Sequence, residues 1–292
     1  MIVITTPTGD IGGRVLRRVL EAGRRVRVVA RDPSALADDV RSRVEVVEGS
    51  HADASTIDRA LAGGTAVFWL PPGDPAAPSA RAGYVEFSRA FAEALPSSGV
   101  THVVGVSALG RDWPKPAGLV TASLAMDDMI GAAGVPHRAL CCASLMDNVL
   151  RQVGSIRDRG VFYGPAPSAP AMPLVAKSDV ARIAADLLLD PGWRGAEEMP
   201  LLGPEDVSHD AMAATMSDVL GRPIRFEEMP MAAFEDMLAS LGTSEGMVRD
   251  YAAMMTAKNE GMDAIARARS RANTPTTFRQ WCERELRPAV GA

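Results

Sequence analysis

A chain of 292 residues is long enough to bury a sizeable core, as one large domain or as a domain with an added lobe. Its hydrophobic fraction of 47% and charged fraction of 23% are those of an ordinary globular protein. A net charge of −5 excludes the basic footprint of a nucleic-acid binder or of a protein drawn to anionic membranes.

From residue 1 to about 142, short β-branched runs alternate with helical patterns. The predicted strands are IVIT (2–5), RVRVVA (25–30), RVEVVE (43–48), AVFWL (66–70), HVVGVS (102–107) and HRALCC (137–142). Amphipathic stretches lie between them, the first with Ile11, Val15, Leu16 and Val19 on one helical face. The strands read as continuously apolar rather than alternating, which suits strands covered on both faces. Strand–helix alternation of this kind predicts right-handed crossovers and an α/β, doubly wound parallel sheet over residues 1–150.

After residue 145 the rhythm changes to a smaller C-terminal α/β lobe over 151–292, part of whose chain returns to the main sheet. A Pro-rich loop leads to MPLV (172–175), then to a helix starting at Ser178 or Asp179 with Ser178 as its N-cap. EMPLLG (198–203) reads as a strand, 208–221 as a helix closed by Gly221, and IRFEEMP (224–230) as a strand. The rest to about residue 286 reads as helical, with turn signals at 242–246 and 272–276.

Cys141, Cys142 and Cys282 show no CxxC spacing and point to neither a disulfide framework nor a zinc site. The four histidines do not group as ligands, so no metal is expected. The apolar opening before Thr5 is too short for a secretory signal, and no apolar run approaches the roughly 18 residues of a membrane span. The expectation is a cytoplasmic protein with a small-molecule substrate, no nucleic-acid or membrane partner, and a monomeric or homodimeric state.

The first strand runs into TTPTGDIGG (5–13), and a glycine turn between strand and helix is an anion site. The spacing G-x-x-G-x-x-G places Thr6, Gly9 and Gly12 at the three glycine positions; Gly9 and Gly12 fit and Thr6 departs. A tight connection that holds no ligand is the competing reading. At the end of the second strand, in VVARDP, Ala30 stands where NAD-binding proteins place an acid, and Arg31 follows. Arginine suits a 2′-phosphate, which favours NADP(H) over NAD(H), unless Arg31 is only a solvated loop charge.

These residues resemble the NmrA-like family of atypical short-chain dehydrogenase/reductases. The likeness is carried by residues 4–36, by GVTHVVGVSALG (99–110), by 125–150, by VAKSDVARIAADLLLDP (175–191) and by 208–230. The resemblance implies an NAD(P)-binding Rossmann domain with a small substrate lobe and a cleft between them. It implies cofactor contacts from Thr6, Thr8, Gly9, Asp10, Ile11, Gly12, Arg31, His51, Leu70, Pro71, Ser107 and Ser144. Family members reduce quinones and other small unsaturated compounds with NAD(P)H, or sense the nucleotide without turning it over.

Ordinary short-chain dehydrogenases carry Tyr-x-x-x-Lys, but Tyr84, Tyr163 and Tyr251 have no lysine four residues on. Several relatives keep a lysine on the helix before the sixth strand, and Ser123 stands at that position. The candidate catalytic residues are therefore Ser107, at the end of the fifth strand, Ser123, and Asp147, after the sixth. Ser107 also reads as a strand-end cap and Asp147 as a helix-start acid. The expected function is NADPH-dependent reduction of a small electrophilic, quinone- or enone-like substrate, of which a secondary metabolite would be one kind. The alternatives are a non-catalytic NADP(H)-binding redox sensor and a non-redox cyclase or dehydratase using the same cleft.

Overall fold

The computed structural model describes residues 1–190, 192–264 and 274–291. Seven parallel strands form the central sheet: β1 (Ile2–Ile4), β2 (Val26–Ala30), β3 (Glu45–Glu48), β4 (Ala66–Trp69), β5 (His102–Ala108), β6 (His137–Cys142) and, much later in the chain, Ala196–Leu201. Their spatial order places the late strand beside β6, followed by β5, β4, β1, β2 and β3. The chain thus builds outward from β1 in one direction, then jumps to β4 on the other side. The crevice beyond the carboxyl ends of β1 and β4 is the place where open α/β sheets bind ligands.

Alternate residues of each inner strand enter two different cores. Ile2, Ile4, Val26, Val28, Phe68, Val104 and Leu140 share one cluster with Val15, Leu16 and Val19 of helix α1 (Asp10–Glu21). Val3, Val29, Val67, Trp69 and Val103 share the other with Ile57 and Leu61 of α3 (Ala54–Leu61), Phe91 of α4 (Phe87–Ala94), and Met126 and Ile130 of α5 (Leu119–Gly131). A short α2 (Asp38–Arg41) precedes β3. Burial on both faces removes the period-two alternation, which is why the inner strands read as unbroken apolar runs. β3 is an edge strand, and only Val47 in it is buried, with Glu45 and Glu48 exposed.

Two arginines interrupt the apolar pattern of inner strands. Arg27 in β2 is buried, yet its guanidinium donates to the carbonyls of Arg59, Ala60 and Ala62 and pairs with Glu45 at 2.7 Å. It closes the carbonyl end of α3, whose last C=O groups have no partner within the helix. Arg138 in β6 donates to the carbonyls of Arg194 and Gly195 and lies 4.5 Å over the Trp193 ring. A planar fork of donors makes arginine tolerable on a strand when carbonyls surround it.

After β6 come β7 (Ser144–Leu145), α6 (Val153–Arg159), β8 (Val161–Gly164) and β9 (Met172–Val175). The chain then returns: α7 (Lys177–Leu189) packs on α1, and β10 (Ala196–Leu201) completes the central sheet beside β6. The sequence expectation for α7 is corrected here. Its N-cap is Ala176, and no side chain of the cap position bonds the helix start. Instead the Asp147 carboxylate, 30 residues earlier, accepts from the Lys177 amide at 3.0 Å. A tertiary partner has replaced the local one, and Ser178 lies inside the first turn.

The remaining elements are β11 (Asp206–Val207), α8 (His209–Leu220), β12 (Arg225–Glu228), α9 (Met231–Ser240), α10 (Glu245–Asn259), α11 (Phe278–Trp281) and α12 (Arg287–Val290). α8 starts on Ser208, whose hydroxyl accepts from the Ala211 amide, and ends on Gly221 in the left-handed conformation. Phe162, Met216, Phe278, Trp281 and Leu286 form a third core among these elements. Part of the 272–276 turn lies outside the described residues. No helix among the described residues is long and apolar enough to cross a membrane.

Arg27→Met keeps the apolar stem but leaves three carbonyls, that of Ala60 buried, without their donor. The expected loss is about 2 kcal/mol of folding free energy, read as a lower midpoint in urea denaturation with an unchanged slope.

Candidate functional site

The site begins at the junction of β1 and α1. Thr5 locks the crevice: its hydroxyl donates to the Phe68 carbonyl at 3.0 Å and accepts from the Leu70 amide at 3.0 Å. The next residue turns sharply. Thr6 has φ +50, the only non-glycine residue in the left-handed region among the described residues. A β-branched residue there is strained by about 1–2 kcal/mol. Its hydroxyl is also buried without a hydrogen-bond partner.

The turn lets α1 come very close. A Cβ on Gly12 would stand 2.2 Å from the Thr6 carbonyl oxygen, so no other residue fits without moving backbone. Gly9 is the N-cap of α1 and carries no capping side chain, leaving the first amides of the helix free of side-chain partners. Free helix-start amides behind a glycine turn are what a pyrophosphate requires. Ile11 is buried under the turn, while Thr8 is exposed at its rim. An open cavity of about 420 Å³ lies against it, lined by Thr8, Gly9, Arg14 and Arg17 on one side and residues 35–37 on the other.

Asp10, the first residue of α1, would repel a phosphate if left bare. It is not bare: Arg14 pairs with it at 2.7 Å and Lys177, at the start of α7, at 2.9 Å. Burial works to raise the Asp10 carboxyl, but the bonds from Arg14 and Lys177 prevail and hold it below the ordinary carboxylate range. Arg14 also pairs with Glu285 at 3.0 Å, tying the end of the chain to the turn.

At the end of β2, Arg31 is exposed and makes no hydrogen bond or ion pair among the described residues. The neighbouring acid does not compete for a ribose. Asp32 accepts from both the amide and the hydroxyl of Ser34, capping its own turn. His51 is buried, with its ring edge-on to Trp69 and Phe87. Its Nε2 lies 3.3 Å from the Leu70 carbonyl, and that geometry places the proton on Nε2. Burial, with a smaller contribution from the Arg31 charge, lowers its pKa to about 4, so the ring is neutral. Its place is to hold the Leu70–Pro71 segment at the carboxyl end of β4.

The three candidate catalytic residues separate into two places. Ser107 and Ser123 are together: their hydroxyl oxygens are 3.3 Å apart, and Ser107 also bonds the Asp127 carboxylate. Asp147 belongs elsewhere, against α7, where Lys177 links it to Asp10. Burial raises the Asp147 carboxyl, with the Lys177 amide opposing. Ser144 is half-buried in β7, paired with Leu174 of β9.

Sequence reasoning missed Asp127 and Lys177. Asp127 falls four residues after Ser123, one helical turn on, and that spacing was its only signal. Lys177 is one of only three lysines, and nothing local shows that α7 returns to the phosphate turn. The loop with Trp113 and Lys115 is fixed to the C-terminal lobe through Lys115 and Glu260 at 2.6 Å.

The residues present fit a nicotinamide dinucleotide, because the helix start is uncapped, Gly12 permits close approach and the Asp10 charge is neutralised. Comparison with known proteins agrees. Residues 7–191 match the model of the NAD(P)H-binding family. The chain belongs to that family and to the NmrA-like class of atypical short-chain dehydrogenase/reductases. It is 35% identical over 238 residues to (4-alkanoyl-5-oxo-2,5-dihydrofuran-3-yl)methyl phosphate reductase of Streptomyces griseus, covering 80% of this chain and 78% of that one. It is 26% identical over 248 residues to an NAD(P)H azoreductase of Xenophilus azovorans, covering 85% and 83%. An NADPH-dependent quinone oxidoreductase of Escherichia coli has the same fold, with TM-score 0.76, 21% identity and coverage of 96% and 98%. The chain is thus a member of an NAD(P)H-binding family, and the relatives named here are reductases.

Two substitutions test the turn. Gly12→Ala should abolish the rise in thermal midpoint that NADPH produces, because the methyl pushes α1 off the Thr6 carbonyl. Thr6→Gly should raise the thermal midpoint of the free protein by roughly 1–3 °C, through relief of strain and loss of an unpaired hydroxyl, and should tighten NADPH binding.

Proposed function

We propose that this protein is an NADPH-dependent reductase of a small electrophilic acceptor of quinone or enone type. The observation that carries the choice of NADPH is the pair at the end of β2. Arg31 is exposed and makes no hydrogen bond or ion pair among the described residues, while Asp32 is turned onto Ser34. A guanidinium in this position is suited to a 2′-phosphate, while the Asp32 carboxylate is bonded to Ser34 rather than left for the ribose hydroxyls of NAD.

When bound, a reduced nicotinamide dinucleotide supplies the hydride. The chain's own residues would do the rest. The α1 amides hold the pyrophosphate, with Asp10 neutralised by Arg14 and Lys177. Thr5, Leu70 and Pro71 border the ribose at the crevice. Ser107, at the carboxyl end of β5, is placed to hydrogen-bond an acceptor oxygen. Without a tyrosine–lysine pair, the Ser107 hydroxyl is bonded by Ser123 and Asp127, and by no cation among the described residues that would activate a poor acceptor. That limitation favours substrates already electrophilic by conjugation. The names of the Streptomyces relative's oxo-dihydrofuran and of the Escherichia coli enzyme's quinone are in keeping with this class.

Thermal midpoints with NADPH and with NADH should separate the cofactors, NADPH stabilising the protein more at equal concentration. Arg31→Ala should weaken NADPH about tenfold or more, the cost of a charge-assisted bond, and leave NADH nearly unchanged. A panel of quinones and cyclic enones should then support NADPH oxidation. Stabilisation by NADPH without oxidation by any acceptor would replace the reductase reading with that of a nucleotide sensor.

A further inference from the structure

Behind Ser107, between β5 and α5, lies a carboxylic acid with almost nothing to hold a negative charge. Val104 and Val106 of β5 face α1 and α7, while Ser107 lies on the opposite face, toward α5. There Ser123 and Asp127 sit one helical turn apart. Asp127 is 4% exposed. Among the described residues, one of its carboxyl oxygens meets only the Ser107 hydroxyl, and the other is buried with no hydrogen-bond partner.

The charges around it do not compensate. Asp128 on α5 and Glu198 on β10 disfavour a carboxylate. Arg111, in the loop after β5, is occupied by Glu198 at 2.6 Å and Asp128 at 2.9 Å. On β6, the Cys141 and Cys142 thiols are pushed up by burial and stay neutral. An ionised carboxylate with one neutral partner and one orphaned oxygen is costly in such a place, and the acid retains its proton instead. Burial, against the opposing Ser107 bond, pushes the Asp127 carboxyl up to about 7.

Protonation reverses the direction of the hydrogen bond. The Asp127 O–H donates to Ser107 Oγ, and the Ser107 hydrogen is freed to point at Ser123 or at a bound acceptor. We propose that Asp127 stores a proton which Ser107 delivers to the acceptor oxygen during reduction, with Ser123 orienting the Ser107 hydroxyl. This rests on the reductase reading above.

The step balances for an enone and a reduced nicotinamide dinucleotide. A hydride forms a C–H bond at the β-carbon, the C=C π pair shifts, and the electron pair arrives on the carbonyl oxygen. That oxygen takes a proton from Ser107 Oγ as Oγ takes one from Asp127. The products are the enol, which returns to the ketone in water, the oxidised nicotinamide, and an Asp127 carboxylate. Water at the open carboxyl edge of the sheet returns the proton after product release.

The test has one arm that needs no catalysis. Thermal midpoints of the full chain and of Asp127→Asn are compared between pH 4 and pH 8 without nucleotide. An acid whose folded pKa is raised binds its proton in the native state where the unfolded chain has lost it. Its stabilisation is therefore present at low pH and declines as pH rises toward the folded pKa. The wild type should lose stability relative to Asp127→Asn across pH 4 to 7, and the difference should level off above. Parallel curves would mean an ionised Asp127 and would overturn the proposal whether or not the protein reduces anything.

The second arm uses NADPH with 2-cyclohexen-1-one and menadione. The wild type should show a kcat that falls above pH 7, and Asp127→Asn should turn over about 100-fold more slowly without that fall, at unchanged KM for NADPH. Asp127→Glu should restore the pH dependence in part. Ser107→Ala should lose turnover yet keep the pH dependence of stability, separating delivery from storage. If Asp127→Asn keeps the wild-type kcat and pH profile, the proposal fails while the reductase reading stands. If the wild type oxidises no NADPH with any acceptor, the reductase reading fails and takes the delivery step with it. The stability curves then report on the stored proton alone.

Discussion

Gly12 lies so close under the Thr6 carbonyl that a single methyl group there would stand 2.2 Å from the oxygen. That contact sets the angle at which α1 leaves β1, and the free amides of α1 are positioned by it. The helix axis in turn decides where α7 can pack, and α7 brings Lys177 to Asp10. A strained threonine is tolerated because the surrounding sheet fixes the turn: Thr5 is bonded across to β4, and the Gly9 amide donates to the Thr6 carbonyl at 3.0 Å. Strain at one residue persists when its neighbours leave no alternative.

A second consequence is electrostatic. An aspartate at the start of a helix is favourable for the helix dipole but unfavourable for a phosphate at the same place. The chain resolves the conflict by surrounding Asp10 with Arg14 and Lys177, and by bringing Glu285 from the C-terminal segment to Arg14. Residues from three distant parts of the chain therefore meet at one turn. Asp147 belongs to the same network through the Lys177 amide. It follows β6, and its carboxylate accepts from the amide at the start of α7, in keeping with its reading as a helix-start acid.

The opposite pattern holds at Ser107. There an acid is buried with no cation bonded to it among the described residues, and the Ser107 hydroxyl is its hydrogen-bond partner. The two carboxylates of the site are thus driven apart in protonation, Asp10 downward by its two cations against burial and Asp127 upward by desolvation. Environments that separate two acids in this way assign them different tasks.

Periodicity, turn residues and the alternation of strand and helix were sufficient for the parallel sheet, for the helix at 208–221 closed by Gly221, and for the glycine turn with Arg31 after it. These are local properties: a backbone conformation, a cap, a stripe of apolar side chains. Contacts across the chain were not legible. Ser178 has the chemistry of a cap, but Asp147 reached the helix start first because the fold placed it there. Arg27 and Arg138 look wrong in inner strands until the carbonyls of a helix end and of the 194–195 turn are seen around them. Asp127 reads as one of two adjacent acids on a helix, Asp127 and Asp128, and only packing against β5 buries the first and leaves the second at the surface. The sequence by itself determined the layers, the glycine turn and the arginine that follows β2, since each follows from residues within a few positions of one another. Tertiary structure decided which acids are charged, because protonation depends on solvent exclusion and on partners that the linear order does not bring together.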